Sequence, residues 1–478
     1  MSSPAPGPGH PLLVASNRGP RLRTEAGVVP TLDRSAGGLA AALTDLLQDV
    51  GGTWVASAMS PWERDAAAAG PLDTENGPRV RFVAVDPETF DGFYNGLANR
   101  VLWFCHHRLW DVPTAPAFGE GTARAWAAYR AVNEAFADAL VEEAAGTDPA
   151  YLVQDYHLCL VPELLRARSP RARVAFFSHI PFAEPAYLGI LPDAMREALL
   201  RGMLGADLVG FHAAAWARAF LDACRELPGV RVDARRRTVA IDGRTVRVEA
   251  NPISIDGAAL RRRAAAPEIR ERLDGHRHGE ERLIFRADRM ELSKNIVRGF
   301  AAYERLLETR PEWRGRVRFL AHVYPSREAL PEYAAYAEAC HAAADRVNER
   351  FTAANWTPLD LVVRDDFEEV LAGYVDYDVL LVNPVADGLN LVAKEGPAVN
   401  ERDGVLVLSR RAGAFDELGT HALGVNPFDL EETASALHAA LEMPDAERRK
   451  RARGLRKVIE ARPPRAWAER QVRALSGE

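Results

Sequence analysis

The sequence contains few cysteines and no long apolar segment. Its four cysteines, Cys105, Cys159, Cys224 and Cys340, are widely separated and include no Cys-x-x-Cys pair. This spacing argues against a disulfide framework and a zinc site, and it favours a reducing compartment such as the cytoplasm. No segment is long enough to span a bilayer, and the Pro- and Gly-rich start has no signal-peptide pattern. We expect a cytoplasmic chain with a disordered tail over residues 1–10.

Positive charge is not in excess either. The chain has 60 Lys and Arg residues against 67 Asp and Glu residues, so its formal net charge is -7. A balance of this sign gives no general attraction for nucleic acid or an anionic membrane, and we expect neither as a partner. With 478 residues, of which 47% are hydrophobic, the chain is typical of globular proteins with more than one domain. The composition leaves open whether the protein forms a homo-oligomer.

What the sequence does contain is a regular alternation of strand-like and helix-like segments. Apolar runs such as "PLLVAS" and "RVAFFSH" alternate with helical stretches, and the pattern restarts at "ERLIFRAD". This alternation is typical of βαβ units around a parallel sheet. The two series predict an α/β protein with two Rossmann-like domains that face each other across a cleft. We expect an N-terminal domain over residues 11–252, a C-terminal domain over 253–460, and a last helix over 461–478 that returns to the N-terminal domain.

Polar residues follow many of the predicted strands. Ligands of open α/β sheets bind beyond the carboxyl ends of the strands, so these residues are candidates for a site. Each of them alone is more simply explained as a loop or packing residue, and only their common location indicates a site. In the first series they are Asn17, Arg18, Asp155, His157 and His179, and in the second they are Asp288, Arg289, Arg327, Arg364, Asp365, Asp366 and Asp387.

Three segments have features that suit a phosphate group. "SAGGLAAAL" and "DGLNLVAKEG" place glycine just before a helical stretch, where backbone N–H groups and the helix dipole favour an anion. "DRMELSKN" supplies Arg289 and Lys294, two cations suited to hold a diphosphate without a metal ion. A tight turn and ordinary surface cations explain the same residues about as well. No cluster has metal-ligand spacing, so we expect no metal and no cofactor.

The motifs together indicate a family. "SNRGP", "QDYHL", "FFSHIPF", "ADRMELSKN" and "ADGLNLVAKE" occur in an order and spacing that resemble the trehalose-6-phosphate synthases. These are retaining glycosyltransferases of family 20 with the GT-B arrangement of two Rossmann-like domains. The resemblance, which covers nearly the whole chain, implies transfer of glucose from a nucleotide-glucose donor to glucose 6-phosphate, giving trehalose 6-phosphate. The donor would bind the C-terminal domain and the acceptor the N-terminal domain.

The resemblance also implies which residues hold the donor. Arg289 and Lys294 would neutralise its diphosphate and so stabilise charge on the leaving group. Asp387 would bind sugar hydroxyls, and Glu395 would accept the ribose hydroxyls. Lys394 is expected to be a cation on the helix surface. Backbone N–H groups would complete the donor site, and they belong to Gly38, Gly388, Leu389, Asn390, Leu391 and Val392.

The acceptor site and the reacting sugar are assigned on the same resemblance. Retention in this family is explained by front-face attack within an ion pair, with the leaving phosphate accepting the proton of the acceptor. We therefore expect no covalent nucleophile; Asp155 and His179 would orient hydroxyl groups, and His179 would hydrogen-bond the donor sugar. The residues expected at the acceptor phosphate are Arg18, Tyr94, Trp103 and Arg327.

Two positions depart from the family pattern. Asn295 stands where family members commonly have glycine, in "DRMELSKN" instead of "DRLDYSKG", and Ser254 stands in "NPISID" instead of "PIGID". Asparagine tolerates left-handed backbone conformations better than most residues, so we expect the loop at Asn295 to persist with altered contacts.

The nucleobase of the donor is predicted from "LVVRDDFEEV". Asp365 and Asp366 precede Phe367 at a strand end that, by the resemblance, lies beside the base. A carboxylate there can accept the two adjacent N–H donors of guanine and would repel the carbonyl oxygens of uracil. The same aspartates also suit the start of the helix "FEEVLAGYV". The sequence thus favours GDP-glucose over UDP-glucose as the donor.

Two other functions stay open. A relative of this fold could join a nucleotide-linked cyclitol to a phosphorylated aminocyclitol, and a catalytically silent regulatory subunit could bind sugar phosphate. The complete set of "DGLN", Asp155 and His179 favours sugar transfer, and a silent subunit would be expected to lose Arg289, Lys294 or Asp387. A dinucleotide oxidoreductase is disfavoured because no Gly-x-Gly-x-x-Gly follows the first strand.

Overall fold

The computed structural model describes residues 11–23, 29–32, 43–44, 46–48, 51–75, 77–273 and 281–476. The chain divides into two compact units, one of Met1–Ile253 with Pro464–Glu478 and the other of Ser254–Pro463. In the described part of the chain, no helix combines the length and the apolar character needed to cross a membrane. All four cysteines are buried free thiols. The tail predicted over residues 1–10 lies outside the described residues.

The first unit is built on a mostly parallel sheet. In the described residues it has nine strands in the order β5-β4-β1-β6-β7-β8-β11-β10-β9, of which only β10 runs antiparallel to its neighbours, and β2 and β3 form a separate antiparallel pair. The strands are β1 Leu12–Ser16, β2 Leu22–Arg23, β3 Thr31–Leu32, β4 Gly52–Ser57, β5 Arg79–Val83, β6 Ala150–Gln154, β7 Arg173–Ser178, β8 Leu208–Phe211, β9 Arg231–Asp233, β10 Thr238–Ile241 and β11 Arg244–Ala250.

Helices of the first unit connect these strands. The helix over Pro61–Ala69 begins at a capping box, in which Ser60 accepts from the N–H of Glu63 and the Glu63 side chain accepts from the N–H of Ser60. A π-helix over Gly92–Leu102 separates the second helix from the third. The helices are α1 Pro61–Ala69, α2 Pro87–Asp91, α3 Trp103–His107, α4 Glu120–Glu143, α5 Val161–Arg168, α6 Pro185–Leu188, α7 Asp193–Leu204 and α8 Ala214–Cys224.

The second unit has a fully parallel sheet. Its described strands follow the order β14-β13-β12-β15-β16-β17. Strands buried on both faces need apolar residues at every position, which explains continuous runs such as "VLLV". The strands are β12 Arg282–Arg289, β13 Val317–Tyr324, β14 Leu359–Val363, β15 Val379–Val382, β16 Val405–Ser409 and β17 Leu423–Val425.

The remaining helices belong to the second unit, except the last. They are α9 Gly257–Ala264, α10 Pro267–Leu273, α11 Ile296–Thr309, α12 Pro331–Phe351, α13 Phe367–Asp376, α14 Val392–Val399, α15 Phe415–Leu418, α16 Leu430–Leu441, α17 Asp445–Glu460 and α18 Pro464–Ser476. Helix α18 is part of the first unit, where it packs against β6, β7 and β8. Ser254, at the start of the second unit, donates its hydroxyl to the carbonyl of Ile459 at 2.9 Å.

Strand order determines where a ligand can bind in each unit. In the first sheet β1 lies between β4 and β6, and in the second β12 lies between β13 and β15. The direction in which the chain winds reverses at these two positions, which opens a crevice at the carboxyl ends of the strands. The residues that follow β1, β6, β12 and β15 therefore lie at such crevices, and they include most of the polar residues predicted from the sequence.

Candidate active site

In the second unit, three cations gather where β12 ends. Lys294 Nζ lies 2.6 Å from Asp387 Oδ2, and Arg289 Nη2 lies 3.0 Å from Glu291 Oε1. Arg327, which follows β13, lies 3.6 Å from Glu291 Oε2. The buried Glu291 carboxylate thus has an arginine on each side. Arg289, Lys294, Arg327 and Asp387, all predicted from the sequence, come together here.

Burial and nearby carboxylates act in opposite directions on these cations. Burial lowers the pKa of Lys294, but the carboxylates of Asp387, Asp288 and Glu291 outweigh it, and the net result is a raised pKa. Burial likewise acts to lower the pKa of Arg289, but Glu291 together with Tyr324 and Tyr333 outweighs it, and the net result is a raised pKa. Both side chains are therefore positively charged at neutral pH. A diphosphate entering this site would replace carboxylate oxygens that now hold the cations.

A buried ion pair supports the cations from inside the sheet. Arg286 donates to Asp288 Oδ2 at 3.1 and 2.7 Å, and it also donates to the carbonyl of Lys294 at 2.9 Å. Burial raises the pKa of Asp288, although Arg286 and Lys294 act to lower it. Asp288, a predicted site residue, therefore holds Arg286 and the loop at Lys294.

The loop after β15 brings Asp387 to the start of helix α14. Asp387 Oδ2 accepts from Asn390 Nδ2 at 3.2 Å, and Asn390 has a φ of 82°. The residue with positive φ in "DGLN" is therefore Asn390. The successive N–H groups of Leu389, Asn390, Leu391 and Val392 lead from this loop into the start of α14. N–H groups of this kind at a helix start suit an anion or hydroxyl groups.

Gly413, which was not predicted from the sequence, supports the loop of Asp387. Its N–H donates to the carbonyl of Asp387 at 3.0 Å, and a Cβ atom at this position would lie 1.9 Å from the carbonyl oxygen of Gly388. Any larger residue would therefore displace the loop that carries Asp387. The close approach of Gly413 to Gly388 joins two loops that are distant in sequence, so no local sequence pattern indicates it.

Glu395 lies in the first turn of α14, in a half-buried position. Its carboxylate accepts from the Tyr374 hydroxyl at 3.4 Å. Burial raises the pKa of Glu395 to about 7, and the bond from Tyr374 lowers it only in part. The charge of the residue assigned to the ribose hydroxyls therefore changes close to neutral pH.

The prediction for Lys394 was wrong. Its side chain is 1% exposed, and Nζ lies 2.6 Å from Glu417 Oε2. Burial lowers the pKa of Lys394, and Glu417 counteracts this. Lys394 is a buried ion-pair partner that ties α14 to α15, because a cation without a carboxylate at this depth would be costly.

The two aspartates before α13 have different environments. Asp366 is the N-cap of α13, where its side chain accepts from the N–H of Glu369 at 3.1 Å, and it lies 2.9 Å from Arg272. Asp365 is exposed, and the Phe367 ring next to it is 51% exposed. Of the two aspartates, only Asp365 therefore has a carboxylate that is not committed to capping the helix. Gly38, the remaining predicted donor residue, lies outside the described residues.

In the first unit, Arg18 and Tyr94 come together as a pair. Arg18, just after β1, donates to the Tyr94 hydroxyl at 3.2 Å. Tyr94 lies on the π-helix and stacks on His157, with ring centroids 5.9 Å apart. Trp103 is buried and stacks on His107 with centroids 3.9 Å apart. Of the predicted acceptor residues, Arg18 and Tyr94 are in contact, whereas Arg327 belongs to the second unit beside Glu291.

Asp155 has an unusual backbone conformation at the carboxyl end of β6. Its φ is 74° and its ψ is 165°, a region that is essentially restricted to glycine. The carboxylate accepts from the N–H of His179 at 3.0 Å, and Oδ2 lies 4.0 Å from His157 Nδ1. Strain of this kind in a non-glycine residue is common at functional sites.

His179 belongs to a chain of hydrogen bonds. The N–H of Ile253 donates to His212 Nδ1 at 3.4 Å, so the proton of neutral His212 is on Nε2 and is donated to His179 Nδ1 at 3.0 Å. His179 then donates from Nε2 to Gln154 Oε1 at 3.0 Å. Burial lowers the pKa of His179 to about 3, so the ring is neutral. For His179 to form the predicted hydrogen bond to a sugar, its ring would have to give up the bond to His212 or to Gln154.

Several residues that hold the predicted ones in place were not predicted from the sequence. Gln154 and Glu291 occur inside the recognised motifs "QDYHL" and "ADRMELSKN", but their roles depend on His179 and Arg327, which lie further along the chain. In the described residues, no three His, Cys, Asp or Glu side chains are grouped so as to bind a metal ion. The missed residues are Gln154, His212, Glu291, Tyr333, Tyr374, Gly413 and Glu417.

The chain is similar to known proteins along its length. The sequence model of Glycosyltransferase family 20 matches residues 11–477. A bifunctional trehalose-6-phosphate synthase/phosphatase of Thermoproteus tenax is 34% identical over 475 residues, which cover 95% of this chain but only 62% of that protein's own length. A validamine 7-phosphate valienyltransferase of Streptomyces hygroscopicus subsp. jinggangensis is 33% identical over 443 residues, 89% of this chain and 86% of that protein.

A solved structure matches the fold. An alpha,alpha-trehalose-phosphate synthase (UDP-forming) from Burkholderia vietnamiensis superposes with a TM-score of 0.85 at 31% identity, covering 98% of this chain and 97% of that chain. This likeness confirms the predicted fold class, an α/β protein with two Rossmann-like domains of the GT-B type.

Proposed function

Because the chain belongs to glycosyltransferase family 20, we propose that it is a retaining glucosyltransferase that moves glucose from a nucleotide-glucose donor to glucose 6-phosphate. The product would be trehalose 6-phosphate. Relatives that carry this activity in their names match the chain at 34% and 31% identity. This chain spans only 62% of the bifunctional relative, and the proposal does not include any activity of the remaining part.

The observation that carries the proposal is the double role of Asp387. Its carboxylate accepts from Lys294 at 2.6 Å and from Asn390 at 3.2 Å. It thereby joins a cation suited to a diphosphate to the N–H groups that begin α14. A sugar diphosphate needs both features, with positive charge for the phosphates and directional donors and acceptors for the hydroxyls.

The acceptor proposal rests on cations that suit a sugar phosphate. Arg18 is paired with Tyr94 in the first unit, and Arg327 lies between Glu291 and the Tyr333 hydroxyl in the second. An arginine can bind two phosphate oxygens at once, which an unphosphorylated sugar cannot offer. We therefore propose that glucose 6-phosphate reacts far better than glucose.

We propose no covalent nucleophile. Asp155 accepts from the N–H of His179, and neutral His179 has protein partners at both ring nitrogens. These side chains are suited to orient a substrate, and a fixed orientation removes a large part of a barrier. Arg289 and Lys294 would stabilise the negative charge that develops on the departing diphosphate.

The preference for GDP-glucose over UDP-glucose is a narrower proposal that depends on Asp365 alone. Asp366 is used as a helix cap, whereas Asp365 is exposed beside the exposed ring of Phe367. A carboxylate at this position suits the paired donors of guanine. The relative named as UDP-forming weighs against this preference.

A related transfer is the second candidate. The validamine 7-phosphate valienyltransferase is about as similar to this chain as the bifunctional synthase, at 33% against 34% identity. A cyclitol substrate would use the same phosphate-binding cations, so these residues do not distinguish the two reactions.

The experiment is to measure nucleoside diphosphate release from a panel of nucleotide sugars, with glucose 6-phosphate, with glucose and without acceptor. We expect release from a nucleotide-glucose only with glucose 6-phosphate, and an α,α-1,1 linkage in the product by NMR. Equal rates with glucose and glucose 6-phosphate would refute the acceptor assignment. Turnover with a nucleotide-linked cyclitol but not with nucleotide-glucose would favour the second candidate.

A further inference from the structure

Asn295 lies at the junction of three loops in the second unit, which follow β12, β15 and β17. Its side chain is 2% exposed, and its backbone is left-handed with φ 59° and ψ 39°. The expectation that asparagine can adopt this conformation is therefore met. Glycine would adopt it at least as easily, so the backbone alone gives no reason for a side chain at this position.

The Asn295 side chain makes three hydrogen bonds within the second unit, two to loops and one to helix α11. Nδ2 donates to the carbonyl of Asn383 at 3.0 Å and to the carbonyl of Pro427 at 2.8 Å. Oδ1 accepts from Arg298 at 2.9 Å. In return, Asn383 Nδ2 donates to the carbonyl of Asn295 at 3.3 Å. Glycine offers none of the three side-chain bonds.

These contacts continue to the loop of Asp387. The guanidinium of Arg298 lies 5.2 Å from the ring centroid of Phe428, and that of Arg411 lies 5.8 Å from the same ring. Arg411 donates from Nε to the carbonyl of Val385 at 3.0 Å, and its own carbonyl accepts from the N–H of Asp387 at 3.1 Å. Asn295 is thus linked to Asp387 through the loop after β17, in addition to being the chain neighbour of Lys294.

We infer that Asn295 is a positioning residue whose amide holds these three loops so that Lys294 and Asp387 are presented to the donor. The inference rests on the proposed function, because it takes Lys294 and Asp387 as donor contacts. It goes beyond the family pattern, in which a glycine at this position supplies no such bonds. A rigid support of this kind reduces the reorganisation that donor binding requires.

The test replaces Asn295 by glycine and compares it with the same change at Asn400. Asn400 is also a buried asparagine that donates to carbonyls, those of Tyr374 and Tyr377 at 3.2 and 3.0 Å. Asn400 precedes β16 and Tyr377 precedes β15, so these bonds lie at the amino ends of the strands, opposite to the donor loops. The two variants lose similar bonds, and only one of them touches the donor loops. Asn400→Gly therefore controls for a loss of stability.

We expect Asn295→Gly to weaken the binding of UDP and GDP, measured by calorimetry, by about tenfold, which corresponds to ~1.4 kcal/mol. The KM for nucleotide-glucose should rise by a similar factor, while the KM for glucose 6-phosphate stays within about twofold of the wild type. Asn400→Gly should lower the melting temperature without these changes. An equal effect of the two variants on nucleotide binding, or no effect of Asn295→Gly, would overturn the inference.

Two further measurements keep the result clear. Asn295→Asp retains the acceptor for Arg298 but removes both donated bonds, so it should weaken nucleotide binding at least as much as glycine does. Wild-type affinity in this variant would contradict the inference.

Hydrogen exchange at residues 385–387 and 426–429 should be faster in Asn295→Gly only. This exchange is independent of turnover. If the wild type is inactive with every nucleotide-glucose, the proposed function is refuted. The exchange measurement would still show whether Asn295 holds the loops.

Discussion

Glu395, in the proposed donor site, has a charge that changes close to neutral pH. It is half-buried in the first turn of α14, and loss of hydration raises its pKa from 4.5 to about 7. The Tyr374 hydroxyl at 3.4 Å compensates little of the lost hydration. A carboxyl group with this pKa is largely protonated below neutral pH, where it accepts hydrogen bonds less well.

Replacing Glu395 by glutamine should remove a dependence of stability on pH. Because the pKa in the folded state lies above the ordinary value of 4.5, ionisation of Glu395 reduces stability as the pH rises from 4.5 through about 7. The free energy of unfolding of Glu395→Gln should match the wild type near pH 5 and exceed it by up to ~3 kcal/mol at pH 8. Urea unfolding at several pH values measures this difference. Parallel curves for the two proteins would show that Glu395 does not titrate in this range.

The cations of the donor site can be tested one at a time. Arg289→Ala and Lys294→Ala should each reduce turnover by about 10²- to 10³-fold, because they remove ~3–4 kcal/mol of stabilisation from the departing diphosphate. The KM for glucose 6-phosphate should change much less. The exposed Lys450, which pairs with Glu447 at 3.6 Å, provides a control cation. Turnover that survives in both variants would contradict the assignment.

At the scale of elements, Asp365 and Asp366 look equivalent in sequence but differ in their position relative to the start of α13. Asp366 caps the helix and pairs with Arg272, and these partners together lower its pKa although burial acts to raise it. Asp365 is the residue before the cap and is exposed. The position of each carboxylate relative to the first turn determines whether it serves the helix.

Variants at these two positions act as controls for each other. Asp366→Ala should lower the free energy of unfolding by ~1 kcal/mol, the usual cost of losing an N-cap, and should leave the ratio of GDP-glucose to UDP-glucose turnover unchanged. Asp365→Asn should change that ratio and leave stability unchanged. Competition assays with both donors and thermal unfolding measure the two effects. An unchanged ratio in Asp365→Asn, or a clear preference of the wild type for UDP-glucose, would refute the preference for guanine.

At the scale of the whole molecule, the first unit is completed by a helix from the end of the chain. Trp467 on α18 is 2% exposed, and its ring centroid lies 5.0 Å from Phe177 and 5.5 Å from His179. Asn251 donates to the carbonyl of Trp467 at 3.0 Å. The stability of the first unit, including the surroundings of His179, therefore depends on residues at the far end of the sequence.

Replacing Trp467 by alanine should destabilise the first unit selectively. A buried tryptophan replaced by alanine costs ~3–5 kcal/mol. Hydrogen exchange should become faster in β7 and β8, whereas β12 and β13 should keep their protection. Trp313→Ala provides the matched control, because Trp313 is buried in the core of the second unit. Equal loss of protection in both units after Trp467→Ala would mean that they unfold together.

Much of the fold and part of the site could be predicted from local sequence. Strands such as β1, β7 and β12 were recognised because buried parallel strands require unbroken apolar runs, which a short window displays. The polar residues after β12 and β15 were recognised because strand ends follow directly from strand positions. The π-helix that carries Tyr94 was missed, since its hydrogen bonding leaves no distinct pattern of apolar residues.

The sequence by itself determined the two-domain α/β class, the family, and the strand ends that carry Arg289, Lys294, Asp387, Asp155 and His179. Only the tertiary structure decided what each of these side chains contacts. Lys394 is buried because Glu417, 23 positions away, lies beside it, and Glu291 is shared by Arg289 and Arg327 because β12 and β13 are neighbours. Periodicity reports which residues are buried along one element. Partners between loops depend on the order of the strands in the sheet, which no local pattern contains.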